Sequence, residues 1–138
     1  MKRLAVLIVL GFGACSAQED GDWFDHTWRS ASPTTDTAIE YIGLDERRDR
    51  AELRSLVGVD PVRTEWCAAF VNAMLELDGV PSLNTLAHPY PLTARGFLSW
   101  GVSVEPERVR RGDLVIFPRG NQGWQGHVGF YWGTVERD

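Results

Sequence analysis

Helix-like segments fill the first half of this chain and strand-like segments the second, so the sequence predicts one domain of mixed helix and strand. Residues 66–77 are apolar at nearly every position until Gly79 and Pro81, the pattern of a helix buried in its own domain. Leu114-Val115-Ile116-Phe117 and the run 126–131 are apolar and rich in β-branched or aromatic side chains, as strands are. A length of 138 residues with 43% hydrophobic content suits a single core.

The first 17 residues stand outside that core. Lys2 and Arg3 precede an apolar run at 4–10, and Gly11-Phe12-Gly13-Ala14-Cys15 follows as a small-residue exit. This is the layout of an export signal, and the run is short for a membrane span. The exit looks like a bacterial lipoprotein acylation motif with Cys15 as the lipidated residue, although Phe12 stands where Leu is usual. A plain signal cut after Cys15-Ser16-Ala17 is the competing reading. The expected location is therefore the periplasm or cell envelope, with a membrane anchor if Cys15 is acylated. Residues 18–34, polar and carrying Trp23, Phe24 and Trp28, read as a tether or irregular arm, and 35–138 as the folded domain.

Within that domain, Thr35 or Asp36 caps a short helix carrying Ala38, Ile39, Tyr41 and Ile42, and Gly43 stops it. A second helix over 47–57 turns Ala51, Leu53, Leu56 and Val57 inward and its charges outward. Thr64 or Glu65 caps the third helix, 66–77, on which Asn72 and Glu76 mark one wetter stripe. A loop at 82–91, a short helix at 94–100 ended by Gly101, and a short strand at 102–104 come next. Arg111-Gly112-Asp113 then turns the chain into the strand 114–117. The Gly-rich segment 119–126 is long for a hairpin turn and suits a substrate-lining loop. In the following strand, period two places His127, Gly129 and Tyr131 on one face and Val128, Phe130 and Trp132 on the other. Gly126 and Gly129 are expected to leave open space beside the imidazole.

Without Lys2 and Arg3 the 14 basic residues fall to 12 against 19 acidic ones, a net charge of −7 in place of −5. No basic stripe remains, which argues against a nucleic-acid partner. The remaining basic residues are all arginines, the side chain suited to bidentate contacts with carboxylates.

Cys67 is the only cysteine outside the leader, and it sits in the first turn of the expected third helix. Unpaired backbone amides and the helix dipole favour a thiolate there. A thiol at a helix start and an imidazole on a distant strand are what a thiol hydrolase requires: Cys67 attacks an amide carbonyl, His127 takes up and returns the proton, and helix-start amides hold the oxyanion. A free cysteine is also a common small hydrophobe of protein cores, so the surroundings decide. His26 and His88, in loop-like contexts, read as structural. The three scattered histidines offer no zinc spacing, and no metal or cofactor is expected.

Four blocks carry a resemblance covering about residues 36–135: Trp66-Cys67-Ala68-Ala69-Phe70-Val71-Asn72, Ala94-Arg95-Gly96-Phe97-Leu98-Ser99-Trp100-Gly101, Arg111-Gly112-Asp113-Leu114-Val115-Ile116-Phe117, and Gly126-His127-Val128-Gly129-Phe130-Tyr131. Together they look like the NlpC-type papain-like cysteine peptidases, in a phage-associated branch adjacent to the CHAP amidases. The resemblance implies an α+β papain-like fold, with the Cys-bearing helix packed on a small antiparallel sheet. It implies Cys67 as nucleophile, His127 as base, and hydrolysis of amide bonds in peptidoglycan stem peptides or at the sugar–peptide link. It also implies a polar residue that orients the base from the strand after it, about twelve residues on, whereas Glu136 lies nine residues past His127. Glu136 could serve only through a sharp fold-back at Gly133-Thr134. Asn121, Gln122, Gln125 and Glu65 are the other candidates for orienting or oxyanion roles. Trp124 and Tyr131 are candidate substrate-groove aromatics, Arg95 and Arg119 candidate contacts to stem-peptide carboxylates, and Trp100 a core residue. The alternative is a truncated or catalytically impaired relative, lacking its last strands and acting as an envelope-binding lipoprotein. An acyltransfer enzyme, or a protein in which Cys67 is only core, belongs to a different class.

Overall fold

The computed structural model describes residues 2–5 and 33–137. Strand β1 (Lys2–Ala5) is followed by helices α1 (Pro33–Ile39), α2 (Arg50–Val57) and α3 (Cys67–Leu77). Two 3-10 turns, Ala94–Ser99 and Pro106–Arg108, lead into β2 (Leu114–Pro118), β3 (Gly126–Phe130) and β4 (Thr134–Arg137). The architecture is a small α+β arrangement. Helix α3 lies at its centre, packed against α1, α2 and β3, while the turn Ala94–Ser99 packs on β2 and β3.

That centrality follows from composition. Ala68, Ala69, Val71, Met74 and Leu75 of α3 are buried, and Leu83, Phe97, Leu114, Val115 and Val128 close the core around them. Each such large side chain contributes roughly 1.5–3 kcal/mol by leaving water. Trp100 belongs to the same cluster and donates Nε1–H to the Pro81 carbonyl at 2.9 Å.

Helix boundaries depart from the sequence expectation for local reasons. Helix α1 starts at Pro33 rather than beyond Thr35, since proline suits the first helical position where its missing N–H costs nothing. The expected start of α2 near Arg47 is displaced to Arg50. Asp45 Oδ1 accepts from the Arg47 and Arg48 amides, each at 2.9 Å, and holds a side-chain turn ahead of the helix. Leu53 and Val57 are buried as expected, whereas Ala51 is exposed. The helix closes on Gly58 at φ 74°, whose N–H reaches the Arg54 carbonyl.

Asn72 corrects the reading of a wetter stripe. It is fully buried, with Nδ2 donating to the Pro91 carbonyl at 2.7 Å and Oδ1 accepting from the Leu83 amide at 2.9 Å. Glu76 is exposed and accepts from Ser82 Oγ at 2.6 Å and Asn84 Nδ2 at 3.0 Å. The two polar residues of α3 thus tie down the loop at 82–91 from inside and outside.

Strands β2 and β3 pair antiparallel with Phe117 opposite His127 and Ile116 opposite Val128. Strand β4 pairs with β1 in a separate two-stranded sheet, Arg3 opposite Glu136, so the chain after Gly133 does not fold back along β3. The expected strand at 102–104 is irregular chain, with Val102 exposed. Strand β1 falls inside the segment read as an export signal; Cys15, Trp23, Phe24, His26 and Trp28 lie outside the described residues. No helix among the described residues is long and apolar enough to cross a membrane.

Candidate active site

Helix α3 begins without a side-chain cap. Trp66 occupies the cap position, and neither Thr64 nor Glu65 caps as expected. Trp66 instead donates Nε1–H to Glu46 Oε2 at 3.3 Å and packs edge-on against Phe70, while Glu65 turns to Arg119. The first helical bond runs from the Phe70 amide to the Trp66 carbonyl at 2.8 Å. The N–H groups of Cys67, Ala68 and Ala69 therefore have no acceptor within the helix. Cys67, a free thiol, is half-buried at this end and packs partly against the core.

His127 comes from the neighbouring strand. Val128 points into the core, so the alternation of β3 turns His127 and Gly129 the other way. Cys67, His127 and Gly129 line one cleft of about 450 Å³, walled by Tyr41, Phe70 and Phe130. A second cleft of about 390 Å³ also reaches Cys67 and is lined by Thr93, Trp124, Gln125 and Gly126. Glu65, Cys67 and Arg119 line both. Arg119 Nη1 stands 3.6 Å from Glu65 Oε2 across the junction.

The two glycines of β3 behave differently. A side chain at Gly129 would meet nothing within 4 Å, as expected for open space in the cleft. At Gly126 a Cβ would come within 2.9 Å of the Phe117 carbonyl, so this glycine permits close strand approach instead of leaving space.

The candidate orienting residues do not gather on the imidazole. Asn121 is exposed and lines neither cleft, with Oδ1 accepting from Gln122 Nε2 at 3.5 Å. Gln125 folds back on its own loop, accepting at Oε1 from the Gln122 amide at 3.1 Å. Glu65 faces Arg119, and Glu136 lies on β4 opposite Arg3. Among the described residues no hydrogen bond joins a side chain to the His127 ring.

Of the groove candidates, Trp124 lines the second cleft and is 61% exposed. Tyr131 lines neither cleft. It packs partly against the core and its hydroxyl meets Thr134 Oγ1 at 2.6 Å, because regular alternation ends with β3 at Phe130. Trp132, expected on the Val128 face, is exposed for the same reason and lies under the Arg111 guanidinium at 3.7 Å. Arg95 lines neither cleft, although its neighbour Ala94 lines the second. Sequence reading missed Tyr41 and Phe70 as cleft walls, since an apolar residue on a helix carries no mark of which side it lines.

His88 has a structural setting. Its Nδ1 accepts from the Tyr90 amide at 3.1 Å, and Nε2 lies 3.1 Å from Ser99 Oγ, which donates to the Gly96 carbonyl at 3.0 Å. The serine proton is committed to backbone, so this pair is a loop clasp rather than a nucleophile and base. Among the described residues no group of three or more His, Cys, Asp or Glu side chains could hold a metal ion.

No family model, curated protein or solved structure matches this chain.

Proposed function

We propose that this protein is an exported cysteine peptidase or amidase that hydrolyses amide bonds of bacterial peptidoglycan with Cys67 and His127, in a papain-like arrangement of the NlpC type. The observation that carries the reading is the placement of Cys67. It stands at the uncapped start of α3, on the same open cleft as His127 of the strand packed against that helix. The four sequence blocks that resemble the family also pack against one another. The first forms α3, the second the 3-10 turn packed on β2 and β3, and the last two the β2–β3 pair. Export would bring such a site to the cell wall.

In the proposed reaction Cys67 Sγ attacks the amide carbonyl carbon, and the Cys67, Ala68 or Ala69 N–H groups donate to the oxyanion. His127 holds the thiol proton and gives it to the departing amine as the C–N bond breaks, leaving a thioester. Water then attacks the thioester, His127 removes its proton, and Cys67 departs with the sulfur electron pair. The absence of a hydrogen-bonded partner for the His127 ring among the described residues favours a second reading, a catalytically impaired member of the same fold that binds the envelope.

The two readings separate in a digest of purified peptidoglycan, run beside the Cys67→Ala variant with released fragments identified by mass. Fragments that vanish with the variant are expected, and their masses name the bond cut. A folded wild-type protein that releases none leaves the binding reading in its place.

A further inference from the structure

We infer that Glu65 and Arg119 form an exchangeable ion pair that selects substrates carrying both a free carboxylate and a free ammonium close to the scissile amide. The inference rests on the proposed hydrolase reading and specifies its substrate class.

Among the described residues the pair is looser than the bidentate ion pairs and resembles the 3.9 Å contact of Arg63 Nε with Asp60 Oδ2. Arg50 grips Asp60 through two nitrogens, Nε at 2.9 Å and Nη2, and Arg48 grips Asp49 likewise, with Nη2 at 2.7 Å. Arg119 and Glu65 meet through one nitrogen and one oxygen at 3.6 Å, beyond hydrogen-bond reach, with side chains 65% and 77% exposed. Such a contact adds little to folding and is readily exchanged for better partners. Its position is not incidental, because among the described residues these are, besides Cys67, the only ones common to the linings of the two clefts. A chain that runs from one cleft to the other past the thiol must cross both charges.

Charge then decides what crosses. A substrate with only a carboxylate meets Arg119 but leaves it beside Glu65, and one with only an ammonium is opposed by Arg119. A centre bearing both groups replaces one loose contact with two charge-assisted ones, the carboxylate on the guanidinium fork and the ammonium on Glu65. Discrimination comes as much from repelling singly charged competitors as from attracting the zwitterion.

The test needs no turnover. Full-length protein is treated with neutral, anionic (sulfonatoethyl) and cationic (ammonioethyl) methanethiosulfonates, each transferring its thioalkyl group to the Cys67 thiolate and releasing methanesulfinate. Modification is read by mass on the Cys67 peptide, apart from Cys15. All three reagents need the same thiolate, so rate ratios cancel any change in its abundance. Glu65→Gln is expected to raise the anionic-to-cationic rate ratio about fivefold and Arg119→Gln to lower it by a similar factor, both effects shrinking in high salt. Ratios that stay within about twofold of wild type in both variants would overturn the ion-pair role, given the short range of the charges.

A second arm compares release from wall fragments left zwitterionic, amidated at the carboxylate, or acetylated at the amine. The wild type is expected to prefer the first, Arg119→Gln to lose discrimination against amidation, and Glu65→Gln to lose it against acetylation. Equal wild-type rates on all three overturn the substrate assignment. No release from any fragment, with the predicted reagent ratios intact, counts against the hydrolase reading and the substrate class built on it while leaving the charge exchange at Cys67 standing.

Discussion

Asn72 Nδ2 donates to the Pro91 carbonyl at 2.7 Å from the interior of the helix that begins with Cys67. Through this bond and the one from the Leu83 amide, helix α3 holds both ends of the loop that leads to the second cleft. Replacing Asn72 by Leu would strand the buried Leu83 N–H, at about 1–3 kcal/mol, and the part-buried Pro91 carbonyl, at less. The expected loss is about 2–4 kcal/mol in urea unfolding, with an unchanged denaturant slope. A loss under about 0.5 kcal/mol would mean that water or another group replaces the amide.

Asp60 joins the start of α2 to the turn before Cys67. The Arg50 hydrogen bonds hold its carboxyl down to about 2 from an ordinary 3.8, against the opposing effect of burial. A carboxyl with a depressed value stabilises the fold above its unfolded value, and that stability is lost as pH falls from 3.8 toward 2. Asp60→Asn is therefore expected to unfold at lower urea than wild type near pH 6, with the gap narrowing below about pH 4. A gap that widens in acid would reverse the assigned sign.

The two glycines of β3 make a paired test. Gly126→Ala drives a Cβ toward the Phe117 carbonyl and should shift the strand that carries His127, at a cost of about 1–3 kcal/mol. Gly129→Ala meets nothing within 4 Å, so its thermal midpoint should stay near that of wild type. Equal destabilisation by the two would contradict the placement of the strand against β2.

Trp124 is exposed on the wall of the second cleft, outside the buried core. Trp124→Ala should leave unfolding within about 0.5 kcal/mol of wild type. On the proposed function it raises KM for wall fragments more than it lowers kcat, which steady-state kinetics would separate.

Much of this was legible in the chain. The unbroken apolar run of α3 announced a buried helix, and the apolar stretches around 114–118 and 126–130 announced the strands, since each pattern directly encodes burial. The α+β class came instead from the family resemblance. Cys67 and His127 stood out as candidates because each is rare in its setting. What the sequence hid depended on tertiary partners. Asn72 looks wet until Leu83 and Pro91 are brought to it, and Glu65 looks like a cap until Arg119 arrives from a loop far along the chain. Tyr131 departs from the face assigned to it because the regular register ends at Leu114 opposite Phe130, and Tyr131 then bonds to both Asp113 and Gly112, which no local pattern states. The start of α2 moved because the Asp45 side chain competes for the backbone, a local device readable in principle from Asp before two arginines.

The central claim is that Cys67 and His127 act as one unit. Residues that do so lose activity together, so each single substitution removes nearly all that the double one removes. The measurement is the rate of fragment release from peptidoglycan by wild type, Cys67→Ala, His127→Ala and the double variant, each shown to be folded. The account predicts that both single variants fall by about 10³-fold or more to the floor set by the double variant. Release that survives Cys67→Ala, or a His127→Ala variant within about tenfold of wild type, would contradict it.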